Sequence, residues 1–279
     1  MSKASPRISF EYFPPKTQEG KEKLLSETTP ALNALRPEFF SVTYGAGGTT
    51  RDTTLGVVST MRESGIAVAP HLSFGGDDGN AIGALLDTYR ERGINHLVAL
   101  RGDMPSGMGG TMQLVYANEL VAFIRERTGD HFHIEVAAYP EIHPEAVCYD
   151  SDIQYLKGKL DAGANSAITQ YFFNVESYFY FLDQCAAIGI DKPIYAGIMP
   201  IINFANLARF SRNCGAEIPR WICQRMEGYG DDQDSVRKFG IDVVTQLCQT
   251  LLDSGAPGIH FYTMNQVEPT REIYNNLGL

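Results

Sequence analysis

Four scarcities in this chain each remove a class of function. Cysteine is the first. Cys148, Cys185, Cys214, Cys223 and Cys248 are odd in number, widely spaced and never arranged as C-x-x-C, so reduced thiols are expected rather than a disulfide or zinc framework. Long apolar runs are also missing. No stretch is suited to span a membrane, and residues 1–7 lack the apolar segment of a signal peptide, which points to a cytoplasmic protein. Basic charge is short: 23 Lys+Arg against 33 Asp+Glu leave a formal net charge of -10. No basic stripe is visible, which argues against nucleic-acid binding. Finally, neither a P-loop nor G-x-G-x-x-G occurs. No linker, low-complexity segment or fixed-period repeat divides residues 1–279, so a single domain is expected.

What is present alternates regularly. Eight strand-like runs, at 8–13, 39–44, 67–74, 96–100, 134–139, 166–173, 193–199 and 258–264, are separated by helix-forming sequence. Helical patterns cover 19–35, 55–63, 79–92, 116–127, 152–162 and 175–187. Two or three more segments fall between the last two strands, over 204–252, and a short one closes the chain at 269–277. Strict strand–helix alternation argues for a parallel sheet. Eight units in 279 residues argue for an α/β protein built as a closed (β/α)8 TIM barrel, with extra helices between strands seven and eight. An open doubly wound sheet is the alternative.

Barrel enzymes place chemistry at the C-terminal ends of strands and stability at the other face. Glu11, Thr43, His71, Arg101, Asp103, Tyr139, Gln170, Tyr262 and Asn265 fall at C-terminal ends, a convergent polar ring of the kind a large ligand needs. The fourth strand breaks abruptly into Arg101-Gly102-Asp103, with Pro105 blocking further pairing. Glu11, inside Phe10-Glu11-Tyr12-Phe13, is either a functional acid or an accessible strand end; apolar surroundings would raise its pKa and suit a general acid. By strand order His96, His131, His133 and His260 fall at the stability face and read as structural or solvated, whereas His71 and His143 reach the functional face. No metal site is expected. The glycine runs at 45–48 and 107–110 read as loops, the second with a lid as its alternative reading, and Tyr178-Phe179-Tyr180-Phe181 reads as helix packing.

Several motifs, in order, cover essentially the whole chain: Phe10-Glu11-Tyr12-Phe13-Pro14-Pro15, Ser41-Val42-Thr43-Tyr44-Gly45-Ala46, Ala69-Pro70-His71-Leu72, Ala99-Leu100-Arg101-Gly102-Asp103, Ala137-Ala138-Tyr139-Pro140-Glu141-Ile142-His143-Pro144-Glu145, Asp161-Ala162-Gly163-Ala164-Asn165, Ile168-Thr169-Gln170-Tyr171-Phe172-Phe173 and Phe261-Tyr262-Thr263-Met264-Asn265. As an ordered set they resemble bacterial-type methylenetetrahydrofolate reductase. The resemblance implies non-covalent FAD held by barrel loops, which accounts for the missing dinucleotide fingerprint. It also implies ping-pong transfer of a hydride from NADH or NADPH, through the flavin, to methylenetetrahydrofolate, supplying methyl groups for methionine synthesis. The cofactor carries the hydride chemistry while the protein supplies placement and electrostatics.

Position by position, the resemblance makes Glu11 the general acid and Asp103 the carboxylate beside flavin and pterin. Gln170, Phe210 and Tyr262 are assigned to the substrates. Thr43, His71, Arg101, Gly102, Asp103, Tyr116, Ala117, Tyr139, His143, Asp152 and Lys159 are assigned to FAD. Relatives carry Arg where this chain has Gln266, and polar or basic residues where it has Tyr155 and Gly158. The resemblance further implies a homo-oligomer. The chain stops after the barrel, so no control by adenosylmethionine is expected. Two other readings of the residues stay open: a flavin-free barrel enzyme acting on a phosphorylated small molecule, and a non-catalytic ligand-binding barrel.

Overall fold

Eight parallel strands close on themselves in sequence order. The computed structural model describes residues 5–44, 51–74, 78–102 and 116–279. The strands are β1 (Arg7–Tyr12), β2 (Phe39–Val42), β3 (Val68–Leu72), β4 (His96–Ala99), β5 (His133–Ala138), β6 (Ser166–Thr169), β7 (Ile194–Ile198) and β8 (Gly258–Tyr262). Each pairs in parallel with its sequence neighbours, and β1 closes the barrel on β8 with Glu11 opposite Tyr262. The strands end earlier than their apolar runs, and Thr43, Arg101 and Gln170 follow just beyond β2, β4 and β6, with Thr43 N and Gln170 N still donating to Tyr12 O and Ala138 O.

The outer ring comprises α1 (Gln18–Lys23), α2 (Thr29–Asn33), α3 (Arg51–Glu63), α4 (Gly79–Glu91), α5 (Ala117–Thr128), α6 (Tyr149–Asp161), α7 (Val175–Ala187), α8 (Phe204–Cys214), α9 (Arg220–Tyr229), α10 (Gln233–Asp253) and α11 (Thr270–Asn276). A π turn, Leu24–Thr28, joins α1 to α2. Pro30 has no N–H to give the α ladder there, and Thr29 Oγ1 instead donates to Leu24 O at 2.8 Å. The expected extra helices between β7 and β8 number three: α8, α9 and α10. On α7, Tyr178 and Phe181 are buried as packing residues while Tyr180 is exposed.

Alternation along the strands sorts side chains into two cores. Ile8, Phe10 and Tyr12 of β1 face the helices. Arg7, Ser9 and Glu11 face the barrel axis, where a small apolar belt of Phe39, Ala69, Val98 and Ile168 separates polar groups at either end. Barrel interiors are ordinarily dominated by bulky aliphatic residues. Here much of that space is polar, and buried polar groups persist only when partnered.

At the N-terminal end the partnering is dense. Arg7 Nη2 donates to Glu135 Oε1 at 2.6 Å, Ser166 Oγ donates to Glu135 Oε2 at 2.7 Å, and His96 Nε2 lies 3.1 Å from Oε1. The Arg7 guanidinium also rests 3.2 Å from the centroid of the Tyr195 ring. Burial would push the Glu135 pKa up, but His133, His96 and Arg7 together hold it well below the usual carboxylate range. His96, His133 and Glu135 are the one set among the described residues with donor atoms close enough for a metal, within 4.8 Å. Arg7 already occupies the carboxylate oxygen a cation would need.

Candidate active site

The C-terminal mouth gathers its polar residues around Glu11. Glu11 is 7 % exposed. Ser41 Oγ donates to Oε2 at 3.2 Å, His260 Nε2 lies 3.3 Å from the same oxygen, and His71 Nε2 lies 3.1 Å away at ion-pair distance. His260 Nδ1 in turn meets Ser9 Oγ at 2.7 Å. Burial raises the Glu11 pKa, but the charge of His71 and the contact with His260 outweigh it and bring it down to about 2. The expectation of a raised pKa is therefore corrected. The acid stands against two imidazoles, and opposite charge favours ionisation more than desolvation opposes it.

His260 is the second correction. It is the third residue of β8, not the start of its strand, and is fully buried. Alternation turns Gly258, His260 and Tyr262 inward, placing its ring against Glu11. The signal was the polar–apolar alternation of Gly-Ile-His-Phe-Tyr opposite Arg-Ile-Ser-Phe-Glu. Ser9, also unassigned from the sequence, is partnered for the same reason.

The wall beside this cluster is Tyr262. Its hydroxyl donates to Thr169 O at 2.7 Å and its ring meets that of His260 edge-on at 5.3 Å. Gly197 makes room for it: a Cβ there would lie 1.9 Å from Thr169 O and 2.8 Å from Tyr262 Cε2. The Tyr262 hydroxyl is therefore engaged within the barrel wall. Gln170, Tyr139 and Tyr171 surround a small cavity with Cys214 beside them. Phe210 is half-buried on α8, and Arg209 lies over its ring at 5.2 Å.

A second cluster lies where β4, β5 and α6 meet. Lys159 reaches from α6 to donate to Ala137 O at 2.5 Å, and loss of solvent pulls its pKa down to about 8, with Asp152 opposing. His143 N donates to Asp152 Oδ2 at 2.8 Å. The His143 ring packs edge-on against Tyr139 at 4.5 Å and feels the charges of Arg101 and Lys159. Arg101 Nη1 donates to Glu145 Oε2 at 2.5 Å. Gly102 has φ 83°, and a Cβ on it would meet Ser73 Oγ at 2.8 Å, so both conformation and space require glycine. A partly desolvated ammonium, a guanidinium and an imidazole drawn together suit a pyrophosphate-bearing cofactor. Beyond them Tyr116 and Tyr155 are exposed and Gly158 faces open space. Thr43 is half-buried at the end of β2, with its N–H donating to Tyr12 O at 2.9 Å, and Ala117 opens α5. Asp103 and both glycine runs lie outside the described residues.

A closed parallel barrel with an ionised acid, two imidazoles and a cationic cluster at the C-terminal ends of its strands defines the barrel-enzyme class. A family model described as methylenetetrahydrofolate reductase matches residues 1–278. The chain is 41% identical over 273 residues to 5,10-methylenetetrahydrofolate reductase of Pectobacterium carotovorum, covering 98% of this chain and 90% of that protein. It is 40% identical to the Escherichia coli protein of the same name over the same shares. A methylenetetrahydrofolate reductase (NADH) of Zea mays is 38% identical over 98% of this chain and 48% of its own length. The chain belongs to the methylenetetrahydrofolate reductase family and is an oxidoreductase. A solved structure, an uncharacterized protein from Clostridium thermocellum that binds two copies of 5-methyl-5,6,7,8-tetrahydrofolic acid, shares the fold. Its TM-score is 0.69 at 17% identity, over 99% of this chain and 94% of that one. Among the described residues no helix is long and apolar enough to cross a membrane.

Proposed function

We propose that this chain reduces methylenetetrahydrofolate to methyltetrahydrofolate with NAD(P)H and non-covalently bound FAD, by a ping-pong scheme, and so supplies methyl groups for methionine synthesis. The observation that carries the catalytic part is the buried Glu11 carboxylate bracketed by His71 and His260 at the barrel mouth. When bound, FAD supplies the hydride carriage between the two substrates. Lys159, Arg101 and His143 would face its pyrophosphate; Thr43, Gly102, Tyr116, Ala117, Tyr139 and Asp152 would line the rest.

Glu11 is the proton donor to the folate ring nitrogen, so that the methylene bridge opens to a reactive iminium. The acid is ionised in the open barrel, with a pKa of about 2, so it cannot arrive already protonated at neutral pH. The proton that Glu11 gives to the folate is taken up anew from solvent through the mouth in each turnover, while His260 Nε2, 3.3 Å from Oε2, and Ser9 at the other ring nitrogen hold the carboxylate in place. Covering the mouth with a bound ring removes water and favours the neutral carboxyl at that moment. Asp103 provides negative charge beside the cationic iminium. Gln170 and Phe210 hydrogen-bond and pack on the substrates, and the Tyr262 ring closes the wall.

The purified protein is expected to be yellow, to release FAD on denaturation, to bleach with NAD(P)H and to regain colour with methylenetetrahydrofolate. A fully loaded, colourless preparation would overturn the flavin. Glu11→Gln is expected to leave bleaching within about twofold while slowing recoloration at least a hundredfold; equal loss in both would remove the proton-donor role.

A further inference from the structure

The turn after β8 is tied to the chain at Glu11 and at Phe13, just beyond β1. The β1–β8 ladder ends with Glu11 opposite Tyr262, yet the contact continues. Thr263 N donates to Glu11 O at 3.3 Å, and Thr263 Oγ1 donates to the same oxygen at 2.6 Å. Two residues on, the Asn265 side chain takes the place of a further strand residue: Phe13 N donates to Asn265 Oδ1 at 2.9 Å, and Asn265 Nδ2 donates to Phe13 O at 2.8 Å. Asn265 N donates back to Thr263 Oγ1 at 3.2 Å, so the two side chains act as one unit.

The turn adopts an uncommon backbone to do this. Met264 and Asn265 lie consecutively in the left-handed region, at φ 55° and 58°. Side chains rarely occupy that region, and such residues persist where surrounding contacts enforce them. Asn tolerates it better than most residues.

We infer that Asn265, with Thr263, is a positioning residue for Glu11: it fixes the backbone exit of β1, and so the direction from which the carboxylate reaches the folate. The inference rests on Glu11 being the proton donor. Beyond Tyr12 the ladder no longer holds β1, and Phe13 is itself exposed. Without the Asn265 amide, Thr263 is the one remaining tether on the β8 side among the described residues. A carboxylate set among Ser41, His71 and His260 at 3.1–3.3 Å tolerates little displacement. A misplacement near 1 Å can cost about a hundredfold in rate.

The test uses Asn265→Gly, because glycine keeps a left-handed backbone without strain while the side-chain tether to Phe13 is lost. Two steady-state reactions are compared on the FAD-loaded protein: NAD(P)H oxidation by methylenetetrahydrofolate, and NAD(P)H oxidation by a quinone, which needs no protonated folate. Folate turnover is expected to fall ten- to a hundredfold in kcat while the quinone reaction stays within twofold. Asn265→Asp keeps the acceptor for Phe13 N but loses the donor to Phe13 O, and is expected to fall between the two. A proportional fall in both reactions would mark Asn265 as merely structural and overturn the inference, as would unchanged folate turnover. Glu11→Gln is run alongside. If it spares folate turnover, the proton-donor reading fails and takes the inference with it. If it abolishes folate turnover while Asn265→Gly does not lower it, only the positioning role fails.

Discussion

Glu11 is buried yet ionised, and that combination has a consequence for stability. Its pKa falls from 4.5 to about 2 on folding. A depressed carboxyl pKa stabilises the folded state above the unfolded value, and the contribution is lost as pH falls through the folded value. The shift corresponds to about 3 kcal/mol, present above pH 4.5 and gone near pH 2. Urea unfolding of the parent protein and Glu11→Gln across this range is expected to show the stability gap narrowing by roughly that amount. A gap independent of pH would mean that the imidazoles do not hold the carboxylate charged. At this scale the sequence was only partly readable. Glu11 and His71 could be placed at strand ends, because Pro14 and the strand order mark where β1 and β3 finish. The sign of the pKa shift could not, because it depends on His260, a residue 249 positions away whose inward direction is set by barrel closure.

At the scale of elements, α6 carries a second titrating group to the mouth. Lys159 has a pKa near 8 because its ammonium is desolvated. A base with a lowered pKa loses its charge in the mildly alkaline range, and with it the attraction for phosphate. FAD affinity, measured by flavin fluorescence, is expected to weaken several-fold between pH 7 and 9, and Lys159→Met is expected to bind FAD more weakly with a flatter profile over that range. An unchanged slope in the variant would place the titration elsewhere. The strand β7 offers a packing test. Gly197→Ala puts a Cβ 1.9 Å from Thr169 O, which forces Tyr262 and β6 apart. Overpacking of this kind costs about 1–3 kcal/mol and should lower the urea midpoint. Helices and strand order were legible because caps, prolines and apolar periods are local signals. The π turn at Leu24–Thr28 was not, since its cause, Pro30, lies inside a pattern that otherwise continues as helix.

For the whole molecule, closure of the barrel turned residues that looked structural into two opposed polar clusters. Reading strands as continuous apolar runs concealed that Arg7 and Ser9 share the inward face with Glu11, though the alternation stood in the sequence. Arg7 and Glu135 form a buried ion pair at the N-terminal end. Removing one partner leaves a buried charge and costs about 3–5 kcal/mol, whereas replacing both with apolar groups is often near neutral. Arg7→Met is therefore expected to destabilise the fold strongly, and Arg7→Met with Glu135→Leu to recover most of the loss in urea unfolding. Additive losses in the double variant would show that the two residues act independently.

Phe39 lies between the two clusters, its ring centroid 4.2 Å from that of His96 and 6.1 Å from that of His260. With Ala69, Val98 and Ile168 it makes the belt an insulator. The chain of polar contacts running inward from Glu11 through His260 stops at Ser9 among the described residues. Among the described residues no polar chain therefore links Glu11 to the N-terminal cluster, and protons reach it from the mouth, the doorway that ligands also use. Whatever seals that doorway fixes how many protons the acid and its imidazoles hold until it leaves. The order of arrival of ligands thus sets the protonation state along with occupancy, and a barrel stoppered at one end keeps count of both.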